Sequence, residues 1–121
     1  MLIIDDNRDS AEAMALLLES EGHQVVTIND SPGAIAKARE FNPDVAIVDI
    51  GLPAMDGYEV ARQIHQVLPK VLLIAVSGWR IDPADERTRT AGFSLYFTKP
   101  MEPAKIKEIL AHPDIIRIDK D

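Results

Sequence analysis

Two rhythms of apolar and polar positions alternate along the chain. Leu2–Ile4, Val25–Ile28, Val45–Val48, Val71–Val76 and Leu95–Phe97 are short apolar runs, which reads as strands buried on both faces. Between them, apolar residues recur at helical spacing. Ala11–Glu21 carries Met14, Leu17 and Leu18 on one side, and Gly22 is placed to end it. Ser31-Pro32 reads as an N-cap followed by proline at the first helical position, opening a helix to about Glu40. Tyr58–Val67 places Val60, Ala61, Ile64 and Val67 together, and Leu68-Pro69 breaks it. Asp82-Pro83 predicts the start of a polar helix that ends before Gly92, and Pro103–Ala111 a final helix. Strands separated by helices of this length predict parallel βαβ units. Right-handed crossovers then put helices on both faces of one five-stranded sheet.

A chain of 121 residues sets the expectation of one domain, residues 1–121, large enough to bury a core without staples. Residues 112–121 read as a short C-terminal tail beyond Pro113. Its isoleucines, Ile115, Ile116 and Ile118, predict either a segment folded back on the domain or one that docks on a partner. The absence of cysteine excludes disulfides and thiolate metal sites and fits a reducing compartment, so a cytoplasmic location is expected. No apolar run approaches the ~20 residues of a membrane span, and Met1–Ile4 meets acids at once, unlike a secretory signal. A net charge of −7, from 20 acidic and 13 basic residues, argues against a nucleic-acid surface.

In an open parallel sheet, ligands sit beyond the carboxyl ends of the strands. The first strand ends in Asp5-Asp6, the third in Asp49, the fourth in Ser77-Gly78 and the fifth in Lys99-Pro100. Each has an ordinary reading alone. Asp5 and Asp6 could cap the first helix, Asp49 could begin a turn, Ser77 could be loop and Lys99 a solvated surface lysine. Those readings must coincide independently at four strand ends. Neighbouring carboxylates repel and raise one another's pKa, which a hard divalent cation relieves. Mg²⁺ binds one or two carboxylates plus water and leaves positions for phosphate oxygens. With an ammonium opposite, the set suits a phosphoryl group under attack by a carboxylate nucleophile. Asp49, on the central strand, is the candidate nucleophile.

These residues resemble the receiver domains of bacterial two-component response regulators. The resemblance runs from Leu2 to about Leu110 and rests on Asp5-Asp6, the stretch Asp49–Gly57, Ser77-Gly78 and Lys99-Pro100. It implies a flavodoxin-like, doubly wound (βα)5 fold with strand order 2-1-3-4-5, the order for which the family's chemotaxis member is a standard example. It further implies that Asp49 is the phosphoacceptor. Mg²⁺ would be held by Asp6, Asp49 and the carbonyl of Gly51, with Asp5 acting partly through water. Lys99 and Ser77 would contact the phosphoryl group, Tyr96 would rotate inward as Ser77 moves, and the Lys99–Pro100 bond would be cis. Trp79 would border the pocket, with loop packing as its plain alternative. The partners implied are a histidine kinase or histidine phosphotransfer protein, and downstream a target protein or covalently linked kinase domains, with homodimerisation left open. The role is that of a signalling domain rather than an enzyme. The switching surface would be the fourth helix, fifth strand and fifth helix. The fourth helix has little apolar surface to fix it, though a plain surface helix would look the same.

Three features depart from the family pattern. Met1 directly precedes the first strand, so that strand is expected to be short. Pro113 cuts the last helix early. Trp79 is the third. Two rival chemistries fit less well. A dehalogenase-type phosphatase wants a second aspartate two residues after the nucleophile, where this chain has Gly51. A flavin binder wants a Ser/Thr/Gly phosphate loop where this chain has Asp5-Asp6-Asn7-Arg8-Asp9. A receiver kept only as a protein-binding module would lack reactive groups, and here all are present.

Overall fold

The computed structural model describes residues 1–50, 56–78, 85–113 and 115. Five strands, β1 (Leu2–Ile4), β2 (Val26–Ile28), β3 (Val45–Asp49), β4 (Leu72–Ser77) and β5 (Phe93–Thr98), alternate with five helices. The helices are α1 (Arg8–Ser20), α2 (Ser31–Phe41), α3 (Gly57–Val67), α4 (Glu86–Ala91) and α5 (Pro103–Leu110). All strand pairings are parallel and the order is β2-β1-β3-β4-β5. This is the α/β, doubly wound architecture expected.

The period-2 rule divides the core into two layers. Leu2, Ile4, Ala46, Val48, Leu73 and Ala75 point to one face and meet Ala34, Ala38, Val60, Ala61 and Ile64 of α2 and α3. Ile3, Val45, Ile47, Leu72, Ile74 and Val76 point to the other and meet Ala11, Met14 and Leu18 of α1 and Ile106 and Ile109 of α5. The central strands β3 and β4 are buried at every position, which is why they read as unbroken apolar runs. Ile115 is buried in the second layer, so the chain past Pro113 folds back at least that far.

Several boundaries differ from the predicted ones, each for a capping reason. Helix α1 starts at Arg8 rather than Ala11 because Asn7 caps it, its side chain accepting from the Ser10 amide. Asp5 and Asp6 therefore do not cap this helix. Helix α2 is capped by Asp30, not Ser31: its carboxylate accepts from the Gly33 amide at 2.6 Å, and Ser31 is already helical. Asp82 and Pro83 lie outside the described residues, and α4 begins at Glu86 with Asp85 as its cap. Strand β5 starts two residues early, at Phe93, directly after Gly92, whose φ of +91° ends α4. The register slips between Leu73 and Ile74 to accommodate it.

One glycine locks the fold to the strand end that matters most. A β-carbon on Gly57 would lie 2.5 Å from the Asp49 carbonyl oxygen and 2.7 Å from Ile50 Cα. Only glycine lets the first turn of α3 sit directly against the end of β3. Gly57→Ala is expected to lower stability by about 1–3 kcal/mol, read as a reduced urea midpoint with unchanged m-value.

Candidate functional site

The site forms where the carboxyl ends of the strands meet. Asp5 follows β1, and Asp49 is the last residue of its neighbour β3. The two side chains are 1% and 2% exposed and converge. Lys99 follows β5, two strands from β3, and reaches across the end of β4. There the small, buried Ser77 leaves it room. Its Nζ lies 2.8 Å from Asp5 Oδ2 and 2.6 Å from Asp49 Oδ2. The reach is set by the backbone, because the Lys99 amide donates to the Ser77 carbonyl at 2.8 Å. The Lys99–Pro100 bond is cis.

Two carboxylates and one ammonium leave a net negative charge in a nearly closed space. At an effective dielectric of about 20, each ion contact is worth roughly 6 kcal/mol of Coulomb energy, comparable to the several kcal/mol that burying each ion costs. The assembled trio is therefore close to break-even, while removal of Lys99 would take from both buried carboxylates the ammonium they share. Burial pushes the Lys99 ammonium down, but its hydrogen bonds to Asp49 and Asp5 and their charges outweigh this and hold it above the ordinary lysine value.

Asp6 is half-buried beside Asp5. Gly51 and Trp79 lie outside the described residues. Tyr96 is half-buried against the first core layer, its hydroxyl donating to the Phe93 carbonyl at 3.2 Å and its ring edge-on to Phe93. Phe93 in turn meets Tyr58 edge-on, and Tyr58 carries α4: Arg87 stacks over its ring at 4.3 Å and Thr88 Oγ1 lies 3.4 Å from its hydroxyl. Only Thr88 and Ala91 of α4 are buried.

The sequence reading passes over two further residues. Lys105 of α5 donates to the carbonyls of Thr98 and Pro100, which flank Lys99, at 2.5 and 3.2 Å. Asn29, at the end of β2, donates to the Asp5 carbonyl at 3.0 Å. No pattern of composition or spacing marks either residue.

Among the described residues, no three acidic or histidine side chains gather closely enough to hold a metal by themselves. Mg²⁺ requires less, since one or two carboxylates completed by water suffice. Asp5 and Asp49, hard oxygen donors with only one ammonium between them and Asp6 alongside, fit that requirement by charge and donor type.

The family model for the response regulator receiver domain matches residues 1–111. The chain is 31% identical to the alkaline phosphatase synthesis transcriptional regulatory protein PhoP of Bacillus subtilis, over 95% of its own length and 50% of that protein. It thus spans about half the length of that relative. It is 28% identical to the polar-differentiation response regulator DivK of Brucella ovis, over 91% of both chains. Among solved structures it matches a CheY-like receiver domain protein from Methanospirillum hungatei with a TM-score of 0.85. That match has 26% identity and covers 99% of this chain and 96% of the other.

Lys99→Met is expected to cost about 3 kcal/mol at pH 7 in EDTA, as removal of one partner from a buried pair does. The folded Lys99 value is raised, so its stabilisation is complete below the unfolded lysine value of about 10.4 and fades as pH rises through the folded value. Urea melts of the two proteins should therefore converge as pH rises through the folded Lys99 value.

Proposed function

This chain belongs to the response regulator receiver domain family, and from that premise we propose that it accepts a phosphoryl group on Asp49 and thereby alters the surface of α4, β5 and α5. The observation that carries the proposal is the contact of Lys99 Nζ with both Asp5 and Asp49 in a buried cleft at the strand ends. The family is one of signalling domains, so the chemistry is a stoichiometric transfer and not turnover of a free substrate. The donor would be a phosphohistidine on a kinase or a phosphotransfer protein.

A carboxylate oxygen of Asp49 attacks the phosphorus in line. The phosphorus–nitrogen bond breaks, its electron pair stays with the imidazole, and the imidazole takes a proton from solvent. Asp49 then carries a mixed anhydride, which water later cleaves to carboxylate and inorganic phosphate. Asp5, Asp6 and Asp49, with the carbonyl of Gly51, would hold Mg²⁺, and the bound cation would neutralise charge on the phosphoryl oxygens. Lys99 supplies a second positive charge without needing to move far, since it already touches Asp49. Ser77 stands buried at the end of β4, and its hydroxyl would turn toward a phosphoryl oxygen.

The output side rests on α4. Phosphorylation shifts a population only through contacts that differ between two arrangements. Helix α4 is six residues long, buries two of them and is held to α3 through Tyr58, Arg87 and Thr88. Tyr58 connects through Phe93 to Tyr96. Among the described residues, only Thr88 and Ala91 of this element are buried, which suits it to changing place. A downstream protein, or kinase domains in the same polypeptide, would read that change.

Incubation with acetyl phosphate and Mg²⁺ should give one phosphoryl adduct by intact mass. Asp49→Asn or EDTA should abolish it. Absence of any adduct in the unaltered protein would favour a binding module that does not use phosphate. Turnover of many phosphomonoesters would favour a phosphatase.

A further inference from the structure

We infer that Asn29 is a positioning residue for the acidic pair, acting through the backbone between Asp5 and Asp6; this rests on the metal-assisted reading above. Among the described residues, Asp5 is fixed by four hydrogen bonds. Its amide donates to the Ile28 carbonyl at 3.0 Å, continuing the β1–β2 ladder past the last strand residue. Its Oδ1 accepts from the Asn7 amide at 2.9 Å and its Oδ2 from Lys99 at 2.8 Å. Its carbonyl, the remaining handle, accepts from Asn29 Nδ2 at 3.0 Å.

That carbonyl belongs to the peptide unit joining Asp5 to Asp6. The chain leaves the sheet here: β1 ends at Ile4 and α1 does not begin until Arg8. The Asp6 side chain takes its direction from the rotation of this peptide plane. No strand residue can accept the task, because β2 ends at Ile28 and the next backbone turns away into the cap of α2 at Asp30. A side-chain amide from the residue between them supplies the missing rung. Asparagine has the reach and the N–H to do so, and its neighbour Asp30 is committed to Gly33.

Asn29 is half-buried, at the rim of the site rather than in the core. Its loss should therefore release the Asp6 direction without unfolding the sheet. Residues that orient metal ligands typically change affinity by 10–100-fold when removed. A residue that merely extended the ladder would change stability alone.

The test is isothermal titration with Mg²⁺ on the unaltered protein, Asn29→Ala and the nearly isosteric Asn29→Leu, with urea melts of each in EDTA. Both variants should bind Mg²⁺ about 10-fold more weakly, with melts close to the unaltered protein. Phosphorylation by acetyl phosphate should recover at saturating Mg²⁺. Affinities within about twofold of the unaltered protein, or losses that track a fall in stability, would overturn the assignment while leaving the proposed function intact. Failure of the unaltered protein to bind Mg²⁺ would overturn both.

Discussion

Lysine between two buried aspartates is the constraint around which this molecule is arranged. Burying a carboxylate is costly unless it is paired and hydrogen-bonded. One ammonium serves both, which leaves the cleft negative and open to a further cation. The trio contributes little net stability once burial is counted. What it provides is a fixed geometry, with the Lys99 ammonium held 2.6 Å from Asp49.

The sheet order makes that trio possible. Placing β1 beside β3 brings Asp5 to Asp49, and placing β4 beyond β3 puts a small side chain, Ser77, beneath the path of Lys99. Strands lie about 4.8 Å apart, so Lys99 has to reach across roughly two strand spacings. Only a long side chain leaving a well-held loop can do so. The loop is held from two directions: the Lys99 amide is bonded to Ser77, and Lys105 grips the carbonyls on either side. Gly57 performs the corresponding task for Asp49, allowing α3 to press against the strand end.

Much of this was legible in the chain. Strands buried on both faces carry no alternation, so β3 and β4 stand out as plain apolar runs. Asp5, Asp49 and Lys99 were legible because a parallel sheet sends its strand ends to one edge. Helix starts were harder. Ser31 and Asp30 are equally good caps by composition, and only the reach of the Asp30 carboxylate to the Gly33 amide decides between them. The start of strand β5 is hidden because polar Ser94 separates Phe93 from the apolar stretch, while pairing with β4 begins at Phe93 and the register then slips past Ser94. Asn29 and Lys105 were not legible, since each acts on a backbone carbonyl of another residue. Such contacts leave no pattern in composition or spacing.

The most direct measurement concerns which oxygen captures phosphorus. Borohydride reduces an aspartyl phosphate to homoserine, and peptide mapping after treatment with acetyl phosphate and Mg²⁺ locates it. The account predicts conversion at position 49 alone. Conversion at Asp5 or Asp6, with position 49 left as aspartate, would contradict it.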